Sequence, residues 1–404
     1  MKSLIDKIFQ RGKEIGLGDM EVYYSAGSSL SLKVFQKELD TYNLSESEGL
    51  SLRGIYNGKM GYSYTEKVDE SSIGQLVKDV AENATIIDSE DEEFIFEGSK
   101  EYKKVDSFNP SLSNVSEEDK IEFVKTLEEE ALKSDKRITS VEACVYGDGY
   151  GETIMSNTKG LYLWDKNNIA YTYIAVVAKE GEDIKTGMSY RTGNDFNIFN
   201  AKEIAREAVG EAISLLGAKS VKSGDYGVII RNSAAADLLE AFTGIFSAEA
   251  VQKNLSLLKG KLNEKIASDK FTLIDDPYMD GGLASKSFDG EGVACRYKKV
   301  VDKGVLKTYF HNLKTAKKDG VETTGNASKG SYKASIGISP SNFYVEKGGR
   351  SLEDMIADMD RGIMITELQG LHSGLNSVSG DFSLAALGYL IEGGKITRPV
   401  EQII

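Results

Sequence analysis

The sequence predicts an α+β protein of two domains, with largely antiparallel sheets flanked by helices. Three observations carry that reading. A chain of 404 residues exceeds what one hydrophobic core supports, so two domains are the default and three the next option. Glycine is abundant (41), proline scarce (4) and tyrosine frequent (20), a composition suited to antiparallel strands joined by tight turns. Strands and helices fall in segregated groups rather than in strict β-α-β alternation, which favours α+β over a doubly wound sheet. No internal repeat of fixed period is present.

The segment MKSLIDKIFQRGKEIG places Leu4, Ile5, Ile8, Phe9 and Ile15 at helical spacing, while Asp6 and Lys7 interrupt the apolar stretch that a secretory signal requires. In Glu21–Val34, Leu30, Leu32 and Val34 alternate with polar residues, as in a half-buried strand. Leu50–Tyr64 carries Asn57-Gly58 between apolar flanks, the strongest short hairpin signal. Ile73, Leu76, Val77, Val80, Ala81 and Ala84 mark an amphipathic helix, and the acidic run Asp88–Glu93 after it reads as a solvated loop. Ser116 is placed to cap a helix bearing Ile121, Val124, Leu127 and Ala131. Strands are expected at Ile138–Tyr146 and Gly151–Asn157, with Gly147 and Gly149 turning the chain between them, then around Tyr171–Ala178 and Asp183–Tyr190. Asn200 and Glu203 resemble a capping box for the helix of Ile204, Ala208, Ala212 and Leu216, which ends at Gly217. The stretch Ala218–Gly227 is the preferred boundary. It separates an N-terminal α+β domain (1–217, divisible at about 1–100 and 110–217) from a β-rich C-terminal domain (224–404). The latter opens with the strand YGVIIR and a helix from Ser233.

A formal net charge of −14 and a pI of about 4.9 disfavour direct binding of nucleic acid or anionic lipid. No uncharged apolar run of about 18 residues occurs, so no membrane span is expected. The two cysteines, Cys144 and Cys295, form no spaced metal motif, and a reduced, cytoplasmic setting is the simplest expectation.

Chemistry concentrates visibly in one place. Leu371–Ser383 (LHSGLNSVSGDFS) gathers one of only two histidines with four serines and an aspartate. Yet His372 and Ser373 are adjacent and on a strand would face opposite ways. No G-x-S-x-G elbow exists, so serine hydrolysis ranks behind a reading in which serine and glycine serve turns. His311 and His372 lie 61 positions apart with no His-x-x-x-His pair; nothing in the spacing directs them and Cys295 to a common metal, and packing roles rank higher. Phosphate-loop fingerprints are incomplete, and neighbouring carboxylates such as Asp275-Asp276 are commonplace in so acidic a chain.

Three segments together resemble the TldD/PmbA family: Lys133–Gly160, Ser287–Ala327 and Ile365–Ile403. Within it they are similar to the PmbA branch, also called TldE, and the likeness covers nearly the whole chain. The resemblance implies a cytoplasmic bacterial or archaeal protease system. In it, TldD-type members bind a catalytic metal through an H-E-x-x-x-H helix, and PmbA/TldE-type members pair with them. The family's older label, modulator of DNA gyrase, gains no support for DNA contact from this acidic chain. In Ser233–Glu249 the match puts Leu239 and Gly244 where the two histidines would stand, leaving only Glu240. Leucine and glycine have no donor for zinc. Leu238, Phe242, Ile245 and Phe246 form an apolar stripe on the same helix, read as core.

The leading expectation is a metal-free subunit of a TldD/TldE-type metalloprotease, its zinc held by a TldD-type partner. Candidate substrate-cleft residues are Glu240, His372, Gly374, Asn376 and Asp381, with no catalytic or metal-binding residue assigned to this chain. A homodimer or heterodimer is expected. The alternatives are a non-enzymatic peptide-binding or scaffold protein, using a sheet edge for strand addition, and, ranked last, an independent serine-type hydrolase using His372 or His311.

Overall fold

The computed structural model describes residues 1–87 and 93–404. Apart from Glu93, the acidic run Asp88–Glu93 lies outside the described residues. Helix α1 (Lys2–Glu14) leads into a meander of β1 (Met20–Phe35), β2 (Glu38–Tyr56) and β3 (Lys59–Thr65), followed by α2 (Ile73–Ile86). Short α3 (Pro110–Ser113) and long α4 (Glu117–Ser134) precede a second meander, β4 (Ile138–Asn157), β5 (Tyr162–Glu180) and β6 (Asp183–Gly193), closed by α5 (Ala201–Ser214). Antiparallel pairing of β1 with β4 joins both meanders into one sheet ordered β3-β2-β1-β4-β5-β6.

Side-chain parity divides this sheet cleanly. Val22, Tyr24, Leu50 and Leu52 pack with Ile5 and Ile8 of α1 and Val77 and Val80 of α2. Further along the same face of β1, Leu30, Leu32 and Val34 pack with Val124 and Leu127 of α4 and Ala205 and Ala208 of α5. Even-numbered residues of β1 therefore face helices throughout, and odd-numbered ones (Glu21, Tyr23) face away, as period-two alternation requires. The Asn57-Gly58 hairpin forms as the sequence predicts, with both residues at positive φ (49° and 79°). Ser116 caps α4, its hydroxyl accepting from Asp119 N–H at 3.1 Å. Asn200 likewise accepts from Glu203 N–H at 3.3 Å, but Glu203 Oε1 lies 3.9 Å from Arg191 rather than completing a reciprocal box.

The expected turn at Gly147 and Gly149 is not there. β4 runs unbroken through both, and neither has a positive φ. Their role is close approach. A Cβ at Gly147 would lie 2.6 Å from the Tyr171 ring of β5, so the missing side chain makes room for a cross-strand aromatic.

The C-terminal half begins with β7 (Gly227–Ile230), α6 (Asn232–Phe242), α7 (Ala248–Gln252) and β8 (Leu273–Asp276). It continues with β9 (Lys298–Asp302), β10 (Val305–Leu306), α8 (Leu313–Asp319), β11 (Ala327–Ser328), β12 (Gly337–Ile338) and β13 (Asn342–Val345). α9 (Leu352–Ala357), β14 (Arg361–Gln369), β15 (Ala385–Glu392) and β16 (Lys395–Ile403) complete the chain. Two four-stranded sheets result, β10-β9-β8-β13 and β16-β15-β14-β7, with β11 and β12 paired separately. Only β7 against β14 is parallel among these pairs.

One glycine sets how closely a helix meets the large sheet. A Cβ at Gly187 of β6 would fall 2.2 Å from Ala212 N and 2.3 Å from Ala208 O of α5, so strand and helix touch through bare backbone. Gly187→Ala is expected to destabilise by about 3 kcal/mol through overpacking. Gly210→Ala, on α5 with open space around it, should stabilise by about 0.5–1 kcal/mol through helix propensity. Urea unfolding of the two variants checks both signs.

Candidate functional site

The segment aligned with the family's metal motif sits at the entrance to the C-terminal half. Arg231 anchors its start: the backbone N–H donates to Ile365 O at 2.8 Å, and the guanidinium reaches Glu211 at 2.9 Å and Thr366 O at 3.1 Å. The sequence predicts one helix through Glu249, but α6 stops at Phe242 and a 3-10 turn covers Thr243–Phe246. Ile245 and Phe246 are thereby driven into the core, where Phe246, Phe310 and Phe343 pack with ring centroids 5.4–6.3 Å apart. Phe246 O accepts from Phe310 N–H, and Phe310 O accepts from Ala248 N–H, pinning the turn. Phe242 joins the edge of this core with Leu239; Leu238, expected in the stripe, is not part of that cluster.

Leu239 is thus a packing residue, Gly244 lies beyond the helix on the exposed turn, and Glu240 is exposed. The donor set does not fit a zinc ion. Among the described residues, no group of three or more His, Cys, Asp or Glu side chains is arranged to hold a metal. Cys295, buried and pushed up to about 12 by its burial, contacts Gly325 O. Buried His311 is held below the ordinary imidazole range, also by burial, and takes its neighbours from Thr323, Thr324 and Asn326.

The loop 370–383 between β14 and β15 folds on itself. Asn376 N–H donates to Asp381 O, and Asn376 Oδ1 accepts from the N–H groups of Val378 and Ser379. Gly380 takes φ 82°, and a Cβ at Gly374 would meet Ser383 O at 2.3 Å, so both glycines are required by the backbone. The loop docks on α6 through Phe382 against Phe242 (6.3 Å between centroids) and on the chain after α7 through Leu257 N–H to Ser377 O. The structure therefore brings the loop to the helix that bears Glu240. His372, Asn376 and Asp381 are exposed, and no hydrogen bond or ion pair joins them to Glu240 among the described residues.

The most heavily charged interior feature is one the sequence reading missed. The outer face of β1 and β2 carries Glu21, Tyr23, Ser51 and Arg53, and Glu21 stands directly opposite Arg53 in the ladder. The C-terminal half covers this face. Arg53 Nε donates to Glu21 at 2.9 Å, and its Nη1 lies 3.8 Å from Glu291 Oε1; all three side chains are within about 6% of full burial. Glu291 is placed by the Asp289 turn, in which Asp289 accepts from the N–H groups of Glu291, Val293 and Ala327. Glu291 Oε2 in turn accepts from Leu313 N–H at 2.7 Å. Burial, partly opposed by Arg53, pushes the Glu291 carboxyl up to about 7. Glu21 Oε2 and Arg53 Nη2 are buried with no hydrogen-bond partner among the described residues. A signal was present: Met20–Tyr24 is buried at every position, so MEVYY is a strand covered on both faces with an acid inside it.

This architecture, a long helix-backed antiparallel sheet joined to a C-terminal body of small sheets, matches a known class of metallopeptidase domains. Family models match residues 20–84 (PmbA/TldA metallopeptidase domain 1), 110–216 (central domain) and 223–404 (C-terminal domain). An uncharacterised protein of Methanocaldococcus jannaschii is 30% identical, covering 97% of this chain and 89% of that protein. The metalloprotease PmbA of Escherichia coli O157:H7 is 28% identical over 74% of this chain and 64% of its own length. A crystal structure from Thermotoga maritima, of a candidate modulator of a DNA gyrase, superposes with a TM-score of 0.92 at 35% identity, covering 99% of this chain and 90% of that one. The chain belongs to the PmbA/TldD metallopeptidase family.

Removing one partner from a buried ion pair leaves an uncompensated charge, so Arg53→Met should cost about 3–5 kcal/mol by chemical denaturation. Glu291 also imposes a pH dependence. Its folded pKa is raised, so its stabilising contribution is complete below about pH 4.3 and is lost as pH rises through about 7. Glu291→Gln should therefore flatten the fall in stability between pH 4.5 and 7, read from urea midpoints across that window.

Proposed function

We propose that this chain is a PmbA/TldE-like subunit of a metallopeptidase that acts on peptides or unfolded polypeptides, the metal being held by a TldD-type partner. The observation that carries the reading is the chemistry of the motif segment. Leu239 is committed to packing and Gly244 has no side chain, so Glu240 alone of the motif's donors remains. Polarisation of the scissile amide then belongs to the partner. This chain binds and orients, with Glu240 and the loop residues His372, Gly374, Asn376 and Asp381 forming one wall of a shared cleft. Contact between Phe382 of the loop and Phe242 of α6 supports that grouping. The working form in this reading is a cytoplasmic homodimer or heterodimer; no helix among the described residues is long and apolar enough to cross a membrane.

The test is reconstitution. The purified chain, dialysed against zinc, should carry substoichiometric metal and leave a peptide mixture intact by mass spectrometry. Adding a TldD-type protein bearing H-E-x-x-x-H should produce chelator-sensitive cleavage exceeding that of the partner alone. Chelator-sensitive cleavage by this chain alone overturns the proposal. Peptide affinity that persists without a partner, with no turnover in any mixture, would favour the scaffold reading instead.

A further inference from the structure

The large sheet ends on one side in an open edge, β6. Other edges are blunted. On β3, Tyr62 O accepts from Asn83 Nδ2 at 2.9 Å; β10 is bridged by Lys265, and β16 carries Pro399 and is bridged by Lys219. β7 and β13 have only four residues each. β6 runs eleven residues with no proline and no register shift against β5. The two-residue turn Gly181-Glu182, with Gly181 at φ 63°, makes Glu180 and Asp183 the closing pair. Odd-numbered residues of β6 therefore bond to β5, and the N–H and C=O groups of Ile184, Thr186, Met188 and Tyr190 point outward. Among the described residues, the one hydrogen bond to these outward groups is that of Arg191 Nη1 to Tyr190 O, at 2.9 Å.

The side chains of the same four residues carry no charge, and Ile184, Met188 and Tyr190 are more than half exposed (56%, 57% and 55%). Alternation puts them on the outer face of the sheet, where Met188 and Tyr190 adjoin Tyr171 and Tyr173 of β5. The charges of β6 lie on its other face: Asp183, Lys185 and Arg191, one acid against two bases in a chain of net charge −14. Two copies of so acidic a chain repel each other, and the repulsion is weakest where a strand of this composition forms the contact.

We propose that β6 pairs antiparallel with β6 of a second copy of this chain, across a two-fold axis at Gly187. In that register Asp183 stands opposite Arg191 of the second copy. Lys185 stands opposite Ser189, whose hydroxyl already holds Glu207 at 2.7 Å. On the outer face Ile184 meets Tyr190, and Thr186 meets Met188. Moving the axis to Met188 would set Lys185 against Arg191, so charge selects the Gly187 register. About eight backbone hydrogen bonds then satisfy both edges, and two six-stranded sheets become one. A foreign peptide would gain the backbone bonds without the match of Asp183 to Arg191. The pairing stands independently of the peptidase reading.

The full chain, in sedimentation velocity at micromolar concentration, should show twice the 44.1 kDa chain mass. Thr186→Pro deletes an outward N–H and leaves the β5 ladder intact, so it should sediment as a monomer with wild-type circular dichroism. Disulfide trapping reads the register, and the buried Cys144 and Cys295 do not disturb it. Thr186→Cys and Met188→Cys chains, mixed and allowed to exchange, should cross-link about tenfold faster than either alone, because like positions lie about 7–8 Å apart across the axis. A monomeric wild type overturns the proposal. So does a dimer that survives Thr186→Pro, or one that cross-links no faster in the mixture. Hydrogen-exchange protection of β6 that arises only when an extended peptide is added overturns it in favour of strand addition by a foreign chain.

Discussion

Burial of the Arg53 guanidinium is the constraint on which the rest of the molecule depends. A cation stripped of water must be matched by fixed carboxylates, because the cost of an unpaired buried charge exceeds what packing alone recovers. Glu21 supplies the close partner from the adjacent strand, and a turn more than two hundred residues away brings the Glu291 carboxyl to 3.8 Å. The C-terminal body is thereby tied to the sheet at this point. Neighbouring contacts share that requirement: Tyr62 donates to Tyr332 O, Tyr332 to Glu66, and Tyr102 to Gly292 O at 2.7 Å. Hydrogen bonds of this kind are each modest, but together with the ion cluster they define a unique docking geometry.

The sheet consequently serves two cores at once. Its inner face is apolar and non-directional, so helices α1, α2, α4 and α5 are held by burial of aliphatic side chains. Its outer face, where the C-terminal half meets β1–β3, is polar and directional, built from Glu21, Ser51, Arg53 and tyrosines. Cavities form where directional partners cannot fill space as closely as aliphatics do. The void lined by Lys329 and Asp289 lies along this seam rather than within either apolar core. The segment of α6 and the loop 370–383, by contrast, meet through Phe242 and Phe382 and leave their polar residues in solvent.

Local signals in the sequence were read correctly where the chemistry is local. Asn57-Gly58 turns because both residues tolerate positive φ, and Ser116 caps because its hydroxyl reaches an N–H three residues on. Gly147 and Gly149 were misread for the complementary reason. A glycine that permits a turn and one that admits a neighbour's ring look identical until the neighbour, Tyr171, is placed opposite. The helix expected through Glu249 failed similarly: its apolar stripe holds at Phe242, Ile245 and Phe246 but not at Leu238, and the pull of Phe310 and Phe343 on Phe246 shortens the helix into a 3-10 turn. Of the candidate site, the sequence revealed which residues could not bind metal, since leucine and glycine lack donors in any fold. It did not reveal the buried cluster, because Glu21, Arg53 and Glu291 are ordinary charged residues until the chain brings them together.

By itself the sequence determined the fold class, most of the helices, the meander hairpin and the absence of donors at positions 239 and 244. These follow from side-chain chemistry and from spacings of a few residues. Only the tertiary structure decided which face of the sheet is polar and sealed, that β4 is one strand, and that Glu21, Arg53 and Glu291 are buried together. Those features depend on desolvation, and desolvation is set by what covers a residue, which no local pattern encodes.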